Sequence, residues 1–501
     1  MAKIEHVFVL MLENRSFDHL FAFSGFPGVP QPPARFNFKP GAPDRLRNDP
    51  PHEFENVRDQ IKGGAMTGFA GDALHGFVPS AIPTLVTLAK NSLFFDNWYS
   101  SMPGPTWPNR LFAHAGSSSG LDNSLGNLAT GGSVTQPGQY LRFDHLHIYE
   151  QLVSKGATWR VYRGDTYPQV LSLRGMIEKK DQFFRPIEQL QADLRAKDAA
   201  SYAFIEPRYD PLWSFASGNS QHPLGSVAAG ETLIAYVYNA IFQSPVGASS
   251  ALLVTWDEHG GFFDQVSPPP AIPPGDAPLS HKRAANPGNC RFDTYGVRVP
   301  AMLVSPWLPV GLGSRIFPGT TFDHASIVSS LRETFNLVDP LTRRDAGAPT
   351  WLAALLPKPR KIETLVTRRA AIPKMDRSLP DLRAISVSGM PSGTVMGMAH
   401  IAVDIDWYIA ERTGVAPLIA SEFQKPIAAA SELLDNKVRG APATASKGAL
   451  SRAHRTVLEY LAAVQTRDLK YERVRAAGLV RQRIATARSP KAKARRRQSR
   501  R

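Results

Sequence analysis

Two apolar, β-branched runs in this 501-residue chain stop abruptly against acidic residues. Residues 4–12 end at Glu13-Asn14, and residues 251–256 end at Asp257-Glu258. Near-continuous apolar runs of this length suit strands buried on both faces, the habit of a parallel sheet covered by helices. A third run, 297–304, ends at Ser305-Pro306. Helical patterns at 231–242 and 325–335 accompany these runs, the second with Asp323 placed to cap its N-terminus. The alternation predicts an α/β fold: a mostly parallel central sheet sandwiched by helices. Ligands of such sheets bind beyond the carboxyl ends of the strands, so the polar residues that end these runs are where function is to be sought.

Composition narrows the chemistry. Apolar residues make up 43% and charged residues 20%, which excludes disorder or a fibrous repeat for the bulk of the chain. The formal charge of +15 suggests a polyanion or an acidic surface as partner, but residues 481–501 hold ten Lys/Arg and no Asp/Glu, leaving +5 on the first 480. Cys290 is the only cysteine, so a Cys-based zinc cage and a redox pair are both excluded and any metal must use oxygen and nitrogen ligands. No run of about 20 apolar residues predicts a membrane-spanning helix. The opening MAKIEHVFVLMLENRSF lacks a small-residue cleavage site, which predicts a first strand rather than a leader and a cytoplasmic location, with export by another route left open.

Glu13-Asn14 and Asp257-Glu258 offer three carboxylates and an amide oxygen, hard donors suited to a divalent cation; each pair alone is equally a capping or loop element. Between them lies SSMPGPTWPNRLFAHAG, where Pro103, Gly104, Pro105 and Pro108 hold Thr106 in a rigid turn at the start of a helix. A hydroxyl fixed there can attack phosphorus beside a metal, with the helix N-terminus favouring anionic oxygens, or it can simply cap the helix. His52, after a Pro pair in the long loop 26–51, and His222, before Pro223, are placed to bind a phosphoryl oxygen or protonate a leaving group, or to serve structure alone. His259 is expected to point away from its acidic neighbours. The Gly/Pro-rich stretches 26–51 and 267–288 are expected to be active-site loops.

Several segments are specific in combination: VLMLENRSFDHLF, DPPHEFENV with GAMTGF, FFDNWYSSMPGPTWPNR, AFIEPRY, HPLGSVAAGE, TWDEHGGFFDQVSPP, and YGVRVPAMLVSPW with FDHASIVSSLRETFNL. In this order, over residues 4–350, they resemble the bacterial phosphoesterase family of the phospholipase C and acid phosphatase type. The resemblance implies an alkaline-phosphatase-like fold and hydrolysis of phosphoester bonds dependent on a divalent metal ion. It places the metal ligands on Glu13, Asn14, Asp257 and Glu258, and the nucleophile on Thr106, which the metal would hold as alkoxide. Substrate-contacting histidines fall on His52 and His222, and orienting roles on Arg110 and Asp264. In-line attack by Thr106 would give a phosphothreonine that water then cleaves. Magnesium, calcium, manganese and zinc all suit oxygen ligands.

The chain departs from the family in Gln265, where many members have histidine, and in ending with helices and a basic tail instead of β-domains. The expected organisation is a catalytic domain at 1–373, a linker at 374–397, a helical extension at 398–480 and a disordered basic tail at 481–501. In the extension Leu450, Ala453, Val457, Leu461 and Val464 form one apolar helical face, expected to pack on the catalytic domain or a partner. Phosphodiester hydrolysis of the phospholipase C class, releasing a phosphorylated headgroup, is the leading expectation. A phosphomonoesterase with the same site is the alternative, and a non-catalytic polyanion-binding protein acting through 481–501 is a third reading.

Overall fold

A computed structural model describes residues 4–124, 143–213, 215–276, 289–362, 393–427, 429–430, 433 and 446–488. Eight strands form its central sheet: β1 (His6–Leu12), β2 (Leu93–Phe95), β3 (Trp159–Arg163), β4 (Phe184–Pro186), β5 (Tyr202–Glu206), β6 (Ser250–Trp256), β7 (Ala301–Val304) and β8 (Gly311–Leu312). Their spatial order is β8-β2-β7-β6-β1-β5-β3-β4. Five of the seven pairings are parallel, and β7 runs antiparallel to both of its neighbours. The apolar residues of β1 and β6 have at most 1% of their surface exposed, as double-sided burial requires.

The decisive pairing is β1 with β6. They run parallel from His6 against Ser250 to Leu12 against Trp256. Both acidic dipeptides leave the sheet at the same level, although nearly 250 residues of chain separate them. On the other side of β1, strand β5 ends in Glu206.

The third apolar run is only half a strand. Ala301–Val304 join the ladder, whereas Pro300 has no N–H to donate and the preceding residues bond irregularly, Val299 N–H donating to the Trp98 carbonyl at 3.0 Å. The helix expected at 325–335 spans Ala325–Thr334, but Asp323 does not cap it; His324 holds the N-cap position. The Asp323 carboxylate instead accepts from Ser101 Oγ at 2.8 Å and from the buried Arg344 at 3.1 Å, a stronger partner than a helix N–H.

Two long helices, Gly393–Thr413 and Lys447–Arg488, pack together. Arg467 donates to Asp406 between them at 2.8 Å. The apolar face expected from Leu450 to Val464 is buried in the same hydrophobic cluster as the sheet. Lys180 meets Asp468 at 2.7 Å, and Arg163 pairs with Glu472, tying the last helix to the sheet. That helix reaches Arg488, into the stretch read as tail, and the first of the pair begins within the stretch read as linker. Residues 363–392 of the linker region and 489–501 of the tail lie outside the described residues. Among the described residues no helix is long and apolar enough to cross a membrane.

Glu231, on the helix Val227–Phe242, receives the Leu85 N–H at 2.8 Å and so caps the helix Pro83–Lys90, whose own N-cap residue Ile82 has no side-chain oxygen. Burial pushes its carboxyl from the ordinary 4.5 up to about 7. Because the folded value lies above the unfolded one, the associated stability is full below pH 4.5 and is lost as pH rises through 7. Glu231→Gln keeps an acceptor without the charge. Its melting temperature is therefore expected to exceed that of the wild type at pH 8 but not at pH 4, by the equivalent of at most about 3 kcal/mol; thermal unfolding at the two pH values checks this.

Candidate active site

At the end of β1 the backbone turns at Asn14, whose φ of 62° is left-handed and uncommon outside glycine. That turn aims the Asn14 backbone N–H at Asp257 Oδ1, 3.0 Å away. Its side-chain Nδ2 lies 3.2 Å from Thr106 Oγ1 and also meets Glu258 Oε1. Asn14, Thr106, Asp257 and Glu258 thus form one connected buried set, each no more than 1% exposed. Thr106 is the first residue of the helix Thr106–Ala115, with Pro105 at the N-cap and no side-chain cap. The hydroxyl is turned to Asn14 instead of to its own helix.

Asn109, one helical turn further on, braces the segment that carries Thr106. Its Oδ1 accepts from Met102 N–H at 3.1 Å, and its Nδ2 lies 2.9–3.2 Å from the carbonyls of Met102, Gly104 and Pro105. Arg110, from the same helix, pairs with Asp257 Oδ2 at 2.9 Å and donates to the carbonyls of Met11 and Leu12. It faces Tyr209 as well, the guanidinium carbon 5.2 Å from the ring centre. These contacts tie the helix that carries Thr106 to the ends of β1 and β6.

Glu13 lies at the margin of the set. Its Oε1 accepts from Gln169 Nε2 at 3.3 Å, and Oε2 is buried without a hydrogen-bond partner. Burial raises the pKa of Glu13, Asp257 and Glu258 alike, opposed at Glu13 and Asp257 by the Arg110 charge and at Glu258 first by that of His52; Glu258 reaches about 7. Among the described residues no group of three or more His, Cys, Asp or Glu side chains stands ready as a metal cage. The set relies on an amide and a hydroxyl as well. Its chemistry suits a hard divalent cation: the oxygens are buried, and Asn14 Oδ1 and Glu13 Oε2 lack partners.

His52 and His222 come together around a residue that the sequence reading did not single out. Asp49 Oδ2 lies 3.4 Å from His222 Nε2, and Asp49 Oδ1 lies 3.9 Å from His52 Nδ1. The Leu224 N–H approaches His222 Nδ1 at 3.3 Å, so that nitrogen accepts and Nε2 carries the proton toward Asp49. Burial holds the His222 pKa down at about 4, and the ring stacks on Phe215 with centroids 3.9 Å apart. His52 behaves oppositely. Burial acts to lower its pKa, but Glu258, Asp49 and Glu53 together raise it to about 9. Its Nδ1–H donates to the Pro50 carbonyl at 2.7 Å, leaving Nε2 as the ring nitrogen free for a ligand.

Asp264 stands apart from the set. It pairs with Arg298 at 3.2 Å and accepts from the Asp18 N–H at 3.1 Å, anchoring the loop after β6 onto the helix Phe17–Phe21. Gln265 serves the same anchor through Asp18 and the Pro30 carbonyl. His259, expected to point away, turns only one side of its ring to Gln60 and keeps Nδ1 3.3 Å from Glu258, because the loop turns at Gly260-Gly261 and does not continue as an extended strand. His324, inside the FDHASIV segment but assigned no role by the sequence reading, accepts from Trp98 Nε1 at 3.3 Å and donates to the Asp257 carbonyl at 2.6 Å. The signal for Asp49, Asn109 and His324 lay in their segments, but nothing in residue type separated them from loop and helix residues.

Residues 4–338 match the sequence pattern described as the Phosphoesterase family. The chain belongs to that family. Its relatives include non-specific phospholipase C6 of Arabidopsis thaliana, 33% identical over 76% of this chain and 79% of the relative. They also include phospholipase C B of Mycobacterium tuberculosis strain H37Rv, 27% identical over 76% and 84%. Among solved structures, a Vibrio parahaemolyticus protein in the alkaline phosphatase superfamily aligns over 70% of this chain and 71% of its own, at 8% identity and a TM-score of 0.35. This phosphoesterase is an enzyme that hydrolyses phosphoester bonds.

Because Asn109 holds the Thr106 turn from inside, Asn109→Ala is expected to cost about 2–3 kcal/mol of stability through the buried partners it strands. A kcat at least about tenfold lower with little change in KM is expected from the loosened turn. Denaturant titration and steady-state kinetics on a soluble phosphoester check both.

Proposed function

We propose that the enzyme is a metal-dependent phosphodiesterase of the phospholipase C class in which Thr106 attacks phosphorus. The observation that carries this reading is the Asn14 amide, which contacts both the Thr106 hydroxyl and the Glu258 carboxylate at a helix N-terminus. The diester preference rests on the relatives, two of which bear the names non-specific phospholipase C6 and phospholipase C B.

Asn14, Thr106, Asp257 and Glu258, with Glu13 beside them, are the residues that would hold a divalent cation. Such an ion, when bound, supplies charge to polarise a phosphoryl oxygen and to favour the ionised form of a threonine hydroxyl. The protein's own contributions are more specific. Asn109 and Arg110 hold Thr106 and Asp257 at fixed positions before substrate arrives. The positive end of the helix Thr106–Ala115 favours the phosphate's anionic oxygens. In-line attack by Thr106 Oγ forms the new P–O bond as the bond to the leaving alkoxide breaks. Water then cleaves the phosphothreonine, and two inversions at phosphorus give net retention.

The two histidines differ in charge. His52, at about 9, is protonated at neutral pH and suits the proton donor to the leaving oxygen; His222, at about 4, is neutral and directs its one N–H to Asp49, which stands beside both rings. The proton on His52 is lost as pH rises through 9, so turnover of a substrate with an alkoxide leaving group is expected to fall above that pH. A substrate that releases p-nitrophenolate needs no such proton and should keep its rate. Parallel pH profiles with the two substrates check the assignment.

Comparing p-nitrophenyl phosphorylcholine with p-nitrophenyl phosphate, with and without chelator, tests substrate class and metal dependence together. The expected result is preference for the diester and loss of activity on chelation, restored by adding back a divalent ion. Thr106→Ala is expected to abolish turnover and the acid-stable phosphothreonine trapped by rapid quench, and wild-type rates in that variant would exclude the mechanism.

A further inference from the structure

Gln60, on the helix Phe54–Ile61, joins the loop after β6 to the turn that presents His52, yet no part of the chemistry above uses it. It is 6% exposed. Its Nε2 lies 2.7 Å from the Pro51 carbonyl and its Oε1 lies 2.8 Å from His259 Nε2. A carbonyl oxygen can only accept, so the amide orientation is set: nitrogen to Pro51, oxygen to His259. His259 Nε2 is then a protonated ring nitrogen that donates to Gln60. The other nitrogen of that ring stands 3.3 Å from Glu258.

The same junction closes from a second side. Gly261 has φ of +73°, and a Cβ there would fall 2.8 Å from Pro50 Cβ, 2.9 Å from the Pro51 oxygen and 3.4 Å from Gln60 Nε2. The loop that leaves β6 with Asp257-Glu258 therefore rests directly on the Pro50-Pro51 turn. Pro50 fixes His52 through its carbonyl, at 2.7 Å from Nδ1. Two elements that carry candidate chemistry, one delivered by the long loop 26–51 and one by β6, are in register only because this contact is tight.

We propose that Gln60 is a positioning residue that, through the Pro51 carbonyl and His259, sets where His52 Nε2 stands relative to the acidic strand ends. The role rests on the reading of His52 as proton donor to the leaving group. Gln60 touches no substrate in this scheme; it acts through the turn it holds.

Gln60→Met keeps the side-chain volume and removes both hydrogen bonds. Turnover of phosphatidylcholine in mixed micelles, which releases an alkoxide, is compared with that of p-nitrophenyl phosphorylcholine, which releases p-nitrophenolate, with divalent ion supplied. His52→Gln is run in parallel. In Gln60→Met the expected result is a kcat about tenfold lower on phosphatidylcholine, with KM and the p-nitrophenyl rate within about twofold; His52→Gln is expected to lose more on phosphatidylcholine than on the p-nitrophenyl substrate. An equal loss on both substrates in Gln60→Met, alongside a biased His52→Gln, would mark Gln60 as merely structural and overturn the proposal alone. An unbiased His52→Gln would remove the proton-donor reading itself and the proposal with it. Should Gln60→Met not fold, Gln60→Leu removes the same two hydrogen bonds without adding charge, and the same bias is required of it.

Discussion

Leu12 and Trp256 end adjacent parallel strands at the same level, and that alignment places Glu13, Asn14, Asp257 and Glu258 together with no exposed surface. Burying a carboxylate costs several kcal/mol unless a partner offsets it. Arg110 enters the set and pairs with Asp257, and the His52 charge faces Glu258. Burial still outweighs these partners, which is visible in the raised pKa values of Glu13 and Glu258 and in the partnerless Glu13 Oε2. A sheet that needed only stability would fill these positions with apolar residues. Their retention at the carboxyl edge is the physical mark of a site that expects charge from outside the chain.

The same edge explains the opposite protonation of the two histidines. His222 sits against Phe215 with the buried Arg15 reaching its carbonyl at 3.1 Å, a setting that disfavours a second positive charge. His52 faces Glu258, Asp49 and Glu53. Asp49 touches both rings, but only His52 also feels the strand-end carboxylates. The two imidazoles are shifted in opposite directions because one faces the acidic edge and the other lies in an aromatic, cation-flanked pocket.

The sheet was legible in the sequence because β1 and β6 are buried on both faces and so read as unbroken apolar runs. The acidic residues after them marked the site edge without any knowledge of pairing. Register and direction were not legible: Leu12 against Trp256 is a contact across most of the chain, and the antiparallel course of β7 leaves no trace in its composition. Asp323 shows how local rules lose to tertiary partners, since a helix-capping position was taken over by Arg344. Asp49, Gln60 and Asn109 were invisible for a related reason. Each acts by holding backbone, and polar residues that hold backbone are common in loops and helix starts of every function.

Thr106 itself is gripped from three directions, and their combination matters more than any one bond. Asn109 ties the turn before it, Arg110 ties its helix to the β1 carbonyls and to Asp257, and Trp107 donates to the Gly393 carbonyl at 3.2 Å from the C-terminal helix pair. That last contact is intimate: a Cβ on Gly397 would lie 2.1 Å from the Trp107 ring. The attack proposed for Thr106 requires the helix start that carries it to be fixed, and a single tether is not enough, because one hydrogen bond leaves rotation about its own axis. Three non-collinear ties remove that freedom. The helices beyond residue 338 thus belong to the same mechanical frame as the strand ends, and the helix that carries Thr106 is where sheet and C-terminal helices meet.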